Sequence, residues 1–314
     1  MVAEVKIFKK LFYHMQFYWL YWTKQQGQCD AVDNFAGQLI IQPSTRIADS
    51  EAVIFPKNIW LYWQGEMPAL VRHCIDQIKT LHPDYAVRVL DPQSVNEFIQ
   101  FDLQSHVLQK ATAQQRADLI RFDLLYHHGG IWLDASIMLY EKLDWIVQLM
   151  HETQTQSFAY YRKKNTTLPE FPVIENWLLA TLPQQTFFKR WFEELFAAIE
   201  GGVVEYIQAI RTNYPNYDDY FQRIGRLEYL VAYVACQKVM RDDMPSMVLL
   251  NCDQNAFYYQ VKNQWVKERT LIDFAINQAP KELPKLIKLA GKERHILDQH
   301  YAKKQYFSGT LLDF

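Results

Sequence analysis

Four residues in the middle of the chain have types and spacing suited to chemistry: Asp118, Arg121, Asp134 and Ser136, within RADLIRFDLLYHHGGIWLDAS. Asp118 and Arg121 are three apart, so on a helix they are neighbours on one face, with Leu125 one turn further along it. Asp134 follows a short apolar run, and Ser136 comes two residues later. Taken singly, each has a plain reading. A carboxylate and an arginine three apart on a helix are usually a solvated pair contributing a few tenths of a kcal/mol, and a lone aspartate after a strand is usually a turn residue. Together they are more specific, because they aim a carboxylate and a guanidinium from a helix, and a carboxylate from a strand end, at one place.

The elements that must position them follow from the sequence. Residues 113–126 contain no Gly or Pro and are dominated by Ala, Leu, Gln and Arg, which predicts a helix. Gly129 and Gly130 end it, because the left-handed conformation after a helix is easiest for glycine. Ile131, Trp132 and Leu133 are wholly apolar, as expected of a strand buried on both faces of a sheet. Residues 137–140 resume a strand-like run.

This stretch resembles the core of glycosyltransferase family 32 and the related capsular polysaccharide synthesis proteins, which are distantly similar to the clostridial glucosylating toxins. The resemblance is strong over 116–136, fair over 55–91 and thin elsewhere. It implies an α/β protein, a GT-A-like nucleotide-binding mixed sheet flanked by helices with a helical insertion, to which the residue pattern adds an amphipathic N-terminal helix. It also implies sugar transfer from a nucleotide-sugar donor to a glycan, with retention, in capsule or other surface-polysaccharide assembly. By position, Trp63 stacks on the base, Asp118 binds donor-sugar hydroxyls, Arg121 contacts sugar or phosphate, and Asp134 holds ribose, sugar or metal. Glu175 and Asn176 match weakly an element on the acceptor side. Family members carry a second Asp, usually the direct metal ligand, where this chain has Ser136. That departure weakens the expectation of a divalent cation, Mn²⁺ or Mg²⁺, and shifts the neutralising of a leaving diphosphate toward Arg121, Lys288 or Lys292. A different class follows from the same departure: a catalytically weakened module that binds a glycan or a biosynthetic partner.

Composition bounds these readings. An apolar fraction of 49% with 15% aromatics supports a substantial core. The formal charge of −2 argues against a general nucleic-acid binder. Cys29, Cys74, Cys236 and Cys252 form no C-x-x-C pair, which fits reduced thiols in the cytoplasm better than a disulfide framework or zinc site. Residues 1–50 are expected to form an N-terminal helix and connection, and residues 51–314 the transferase domain.

Along the chain, residues 1–24 hold four Lys against one Glu, with eight aromatics. Val5, Phe8, Phe12, Met15, Trp19 and Trp22 recur at steps of three and four, along one side of a helix. Lys9, Lys10, His14 and Gln16 interrupt it, so it does not suit a bilayer span. It suits either an interfacial anchor at the cytoplasmic membrane face, serving a lipid-linked acceptor, or a helix docked on the protein's own core or a partner. The stretch up to Ser50 reads as a connection. Residues 58–63 then read as a strand ending at Trp63, 68–82 as a helix, and 85–90 as a second strand. That order predicts a parallel pair with a right-handed crossover. Trp63, Asp91 and Asp134 all fall at predicted strand ends, and Asp91, before Pro92, reads as a turn cap. Residues 157–161 read as a strand, 187–199 and 220–240 as helices, and the chain from Pro245 as loop and short strand. Residues 280–304 are basic, with seven Lys or Arg against three acids. Within them Lys288 and Lys292 are placed to reach a diphosphate, a solvated charged face being the alternative.

Overall fold

The computed structural model describes residues 2–41 and 54–314, with side chains from residue 10 to 38 and from 54 onward. The second half of the connection expected before Ser50 lies outside the described residues.

Seven strands form one mixed sheet: β1 (Leu39–Ile41), β2 (Asn58–Tyr62), β3 (Ala86–Leu90), β4 (Gly130–Leu133), β6 (Ser157–Tyr161), β7 (Ile174–Thr181) and β8 (Met247–Asn251). Their order is β1-β8-β6-β7-β4-β2-β3. β5 (Ile137–Leu139) and β9 (Leu286–Lys288) form a separate antiparallel ribbon. The helices are α1 (Val2–Thr23), α2 (Ala69–Leu81), α3 (His106–Gln109), α4 (Ala113–His128), α5 (Asp144–Glu152), α6 (Thr186–Glu200), α7 (Val203–Asn213), α8 (Tyr217–Phe221), α9 (Val231–Asp242), α10 (Tyr258–Lys262), α11 (Lys267–Ala275) and α12 (Gly291–Ala302). The mixed sheet flanked by helices is the architecture the resemblance implies.

Strand alternation divides the core between the two faces of the sheet. Trp60 and Trp132 pack with Leu119, Phe122 and Trp191, under α4, α6 and α9. Ile59, Leu61, Ile131 and Leu133 pack with Ile75 and Ile146, against α2 and α5. β4 is therefore buried on both faces, as an unbroken apolar run requires. β2 runs parallel to both β3 and β4, so the ends of all three lead to one edge of the sheet.

α4 starts at a capping box. Thr112 accepts from the Gln115 amide, and the Gln115 side chain accepts from the Thr112 amide. It stops at Gly129 (φ 61°) and Gly130 (φ 93°). A Cβ on Gly130 would stand 2.5 Å from the Asn58 carbonyl oxygen, and one on Gly129 would stand 2.7 Å from the Pro183 nitrogen. Both the dihedrals and the close approach therefore demand glycine.

Two expectations need correction. Residues 220–240 are not one helix: α8 ends at Phe221 and α9 begins at Val231. Gln222 (φ 45°) and Arg226 (φ 51°) break the helical path between them, which a periodicity argument does not register. The region from Pro245 is not mainly loop. It contains β8, in the interior of the sheet, and α10 to α12, whose short lengths leave little periodic signal. The N-terminal helix, left open between an interfacial anchor and a docked helix, packs on the core by the side bearing Phe17. Phe17 is fully buried, with Tyr13, Tyr18, Leu20 and Tyr21 against a cluster from α11 and α12. Phe12, Met15, Trp19 and Trp22 of the expected stripe are 55–77% exposed. The helix is apolar on two sides, and the core takes the side bearing Phe17. No helix among the described residues is long and apolar enough to cross a membrane.

Candidate functional site

Asp134 leaves β4 at the sheet edge where β2 and β3 also end, its amide donating to the Trp177 carbonyl of β7 at 2.8 Å. Its carboxylate is held from two directions. Arg121 Nη2 reaches Oδ1 at 3.0 Å from α4, and Lys288 Nζ reaches Oδ2 at 2.7 Å from β9. Trp132, two residues earlier and so on the same strand face, adds its indole N–H to Oδ1 at 3.3 Å. Arg121 also lies over the Trp132 ring, 4.8 Å from the centroid, a cation–π contact that fixes the guanidinium plane.

On α4 the expected neighbours meet. Arg121 Nη1 lies 2.8 Å from Asp118 Oδ1, which also accepts from Asn176 Nδ2 at 3.0 Å. Asp118 and Arg121 are only 3% and 4% exposed. Nε of this buried guanidinium has no hydrogen-bond acceptor among the described residues, while Nη1 has the Asp118 carboxylate beside it. A buried charged donor without an acceptor is costly.

The ribbon supplies the rest. Ile137 of β5 is in register with Lys288 of β9, and the Leu289 amide donates to the Ser136 carbonyl at 3.1 Å. This pairing seats Lys288 Nζ 3.1 Å from Ser136 Oγ as well as on Asp134. Two carboxylates and two basic groups thus form one continuous chain, Asp118–Arg121–Asp134–Lys288, with Ser136 at its end. Burial pushes the Asp118 carboxyl up to about 6, against the pull of Arg121. Burial acts to raise Asp134 too, but Lys288 and Arg121 outweigh it and hold that carboxyl below the usual range.

The other sequence candidates fall in several places. Trp63 follows directly on β2, half-buried, its indole N–H donating to the Glu66 carbonyl at 3.2 Å, with the Arg294 guanidinium 5.1 Å from its ring centroid. Trp60 is core, bonded to the Gly129 carbonyl. Asp91 accepts from the Gln93 and Ser94 amides and the Ser94 hydroxyl, the turn cap expected of it. Glu175 and Asn176 do not act as a pair, because adjacent strand residues point opposite ways. Asn176 bonds Asp118, while Glu175 accepts from Tyr233 at 2.8 Å and is raised above the usual range by burial. Lys292 is exposed in the first turn of α12 and forms no ion pair with the cluster. The sequence reading missed Trp132 and Arg294. Trp132 had a signal, its two-residue spacing from Asp134, whereas nothing local ties Arg294 to Trp63.

A divalent cation does not fit these donors. Mg²⁺ takes oxygen ligands at about 2.0–2.1 Å and Ca²⁺ at about 2.3–2.6 Å, yet the one partly open carboxylate, Asp134, carries an ammonium 2.7 Å from one oxygen and a guanidinium on the other. Ser136 offers only a neutral hydroxyl, already bonded to Lys288. Among the described residues no group of three His, Cys, Asp or Glu is placed to hold a metal. A cavity of about 540 Å³ lies elsewhere, between α7 and residues 226–229, and no candidate residue lines it.

The fold and site define a mixed α/β protein with a charged cluster where parallel strands end, the place such sheets bind ligands. The profile of the capsular polysaccharide synthesis proteins matches residues 33–272, and the chain belongs to that family. The glycosyltransferase afumC of Aspergillus fumigatus is 30% identical over 152 residues, covering 44% of this chain and 39% of that protein. The O-glycosyltransferase braB of Annulohypoxylon truncatum is 27% identical over 152 residues, covering 44% and 36%. Inositol phosphoceramide mannosyltransferase 3 of Schizosaccharomyces pombe is 32% identical over 106 residues, covering 31% and 29%. The chain thus spans less than two fifths of the length of each of these relatives. Two solved structures superpose in part: the PaToxG glycosyltransferase (TM-score 0.33, 12% identity, 69% of this chain and 87% of that one) and the galactosyltransferase LgtC with donor and acceptor sugar analogues (TM-score 0.38, 11% identity, 74% and 87%).

Proposed function

We propose that this protein is a glycosyltransferase that moves a hexosyl unit, with retention, from a nucleotide-diphosphate sugar to a glycan acceptor in surface-polysaccharide synthesis. The observation that carries the reading is the Asp118–Arg121–Asp134–Lys288 chain at the strand ends. Family membership and the names of the relatives supply the substrate class. In this reading Trp63 stacks on the base, Asp118 accepts from donor-sugar hydroxyls, Arg121 and Lys288 face the diphosphate, and Asp134 keeps both basic groups in place. Asn176 orients Asp118 and belongs to the donor side.

The same reading puts the protein on the cytoplasmic face of a membrane, next to a lipid-linked acceptor. Its support is the exposed row Phe12, Met15, Trp19 and Trp22 on α1, in a segment carrying four Lys. Aromatic rings favour the membrane interface, and each basic residue near an anionic surface contributes about 1 kcal/mol.

The test is a panel of UDP- and GDP-sugars followed by slow donor hydrolysis and thermal shift. One donor should be hydrolysed and should raise the melting temperature, since a ligand of the folded state stabilises it by about 2.7 kcal/mol at one hundred times Kd. A panel that neither reacts nor stabilises would refute the transferase reading, and stabilisation without hydrolysis would identify a binding module instead.

A further inference from the structure

We infer that the Lys288 ammonium is the fixed cation of this site, bridging Asp134 and Ser136, so that nucleotide-sugar binding and cleavage need no divalent ion. This rests on the transferase reading above.

Three observations carry the inference. Lys288 Nζ bonds Asp134 Oδ2 at 2.7 Å and Ser136 Oγ at 3.1 Å, so one positive charge touches both ends of the Asp-x-Ser segment. Its side chain is 10% exposed and cannot swing freely, because β9 is paired in register with β5 and its backbone is held by Ala256 and Gln260. An ammonium has three N–H donors, and two of them have acceptors among the described residues, which leaves the third for a ligand oxygen.

The charge pattern agrees. A divalent ion on Asp134 would have to displace Lys288 or sit beside it on the same oxygen, against Coulomb repulsion that is large in a partly buried site. The neutral Ser136 hydroxyl suits this arrangement. A second carboxylate there would leave the site one charge short of neutral with Lys288 present, whereas a hydroxyl lets Asp118 and Asp134 balance Arg121 and Lys288 one for one.

In the reaction, the bond from the anomeric carbon to the β-phosphate oxygen breaks and its electron pair stays on the diphosphate. A bond forms from that carbon to an acceptor hydroxyl oxygen, or to water in the slow side reaction, and the hydroxyl proton ends on the departing diphosphate. Charge grows on the leaving oxygen, and a preorganised cation beside it lowers the barrier without reorganising. Lys288 and Arg121 supply that charge.

The experiment uses the full chain and the donor found in the panel. Wild type, treated with EDTA, should bind and hydrolyse that donor as well as it does with Mn²⁺ or Mg²⁺ added, and should show no Mn²⁺ binding by calorimetry in the absence of nucleotide. Lys288→Met should lower affinity for the nucleoside diphosphate about 10–100-fold, the loss of one charge-assisted contact, with little change for the nucleoside alone. Lys288→Arg should retain most of it. The double variant Ser136→Asp/Lys288→Ala should bind Mn²⁺ and recover donor binding only when Mn²⁺ is present. Melting curves of each variant identify any that fail to fold, and the wild-type chelation arm decides the question without them. Donor binding that EDTA abolishes and Mn²⁺ restores in wild type would overturn the inference and leave the transferase reading standing. No binding of any donor under any condition would overturn both.

Discussion

Asp134 is the residue on which the site turns, because both basic groups converge on its carboxylate. Asp134→Asn keeps the shape and removes the charge that positions Arg121 and Lys288. We expect donor hydrolysis to fall by at least about 100-fold, the scale of losing a group preorganised toward the transition state, with near-UV circular dichroism unchanged. Wild-type turnover would take Asp134 out of the chemistry. Trp63 poses a separate question, since it is half-buried, packs on the core and lies under Arg294. Trp63→Ala should weaken nucleotide binding by about 1–3 kcal/mol if a base stacks there, which calorimetry measures directly. Unchanged affinity in a folded variant would assign this tryptophan to packing alone.

At the scale of elements, α1 serves two surfaces. Its Phe17 side is part of the core, stacked within 6.0 Å on Tyr21 and edge-on to His300 at 4.6 Å. Its other side exposes Trp19 and Trp22 at 55% and 77%. Deleting the helix would therefore mix two effects, and point changes separate them. Phe17→Ala should destabilise the protein by about 3–5 kcal/mol, as large-to-small changes in packed cores do. Trp19→Ser with Trp22→Ser should change stability by less than about 0.5 kcal/mol per site while reducing sedimentation with anionic liposomes. Unaltered liposome binding by that double variant would remove the membrane role from this face.

For the whole molecule, the buried Asp118 links folding to pH. Its carboxyl is raised from 3.8 to about 6 on folding, chiefly by burial. Between those values the folded state holds the proton and the unfolded state does not, so this group's stabilisation is present at low pH and is lost as pH rises toward 6. The effect amounts to at most about 3 kcal/mol, since a tenfold change in proton affinity corresponds to about 1.4 kcal/mol. Asp118→Asn should abolish that component. The melting temperature of the variant relative to wild type should climb as pH goes from 4 to 6 and level off above 6. A difference that stays flat across that range would mean Asp118 is ionised in the fold throughout.

Much of the central unit was legible in the sequence because its causes are local. The capped, glycine-stopped α4 and the apolar β4 follow from propensity, positive φ and alternation, and those rules also placed Asp118 beside Arg121 and Asp134 at a strand end. The Asp91 turn cap was equally local. Other features had no local cause. Lys288 is 154 residues from Asp134, and only the register of β5 against β9 seats its ammonium on Asp134 and Ser136 while leaving Lys292 in solvent. Asn176 meets Asp118 because β7 runs antiparallel beside β4. The facing of α1 was decided the same way. Two apolar stripes compete on one helix, periodicity cannot rank them, and the apolar cluster of α11 and α12 took the one with Phe17.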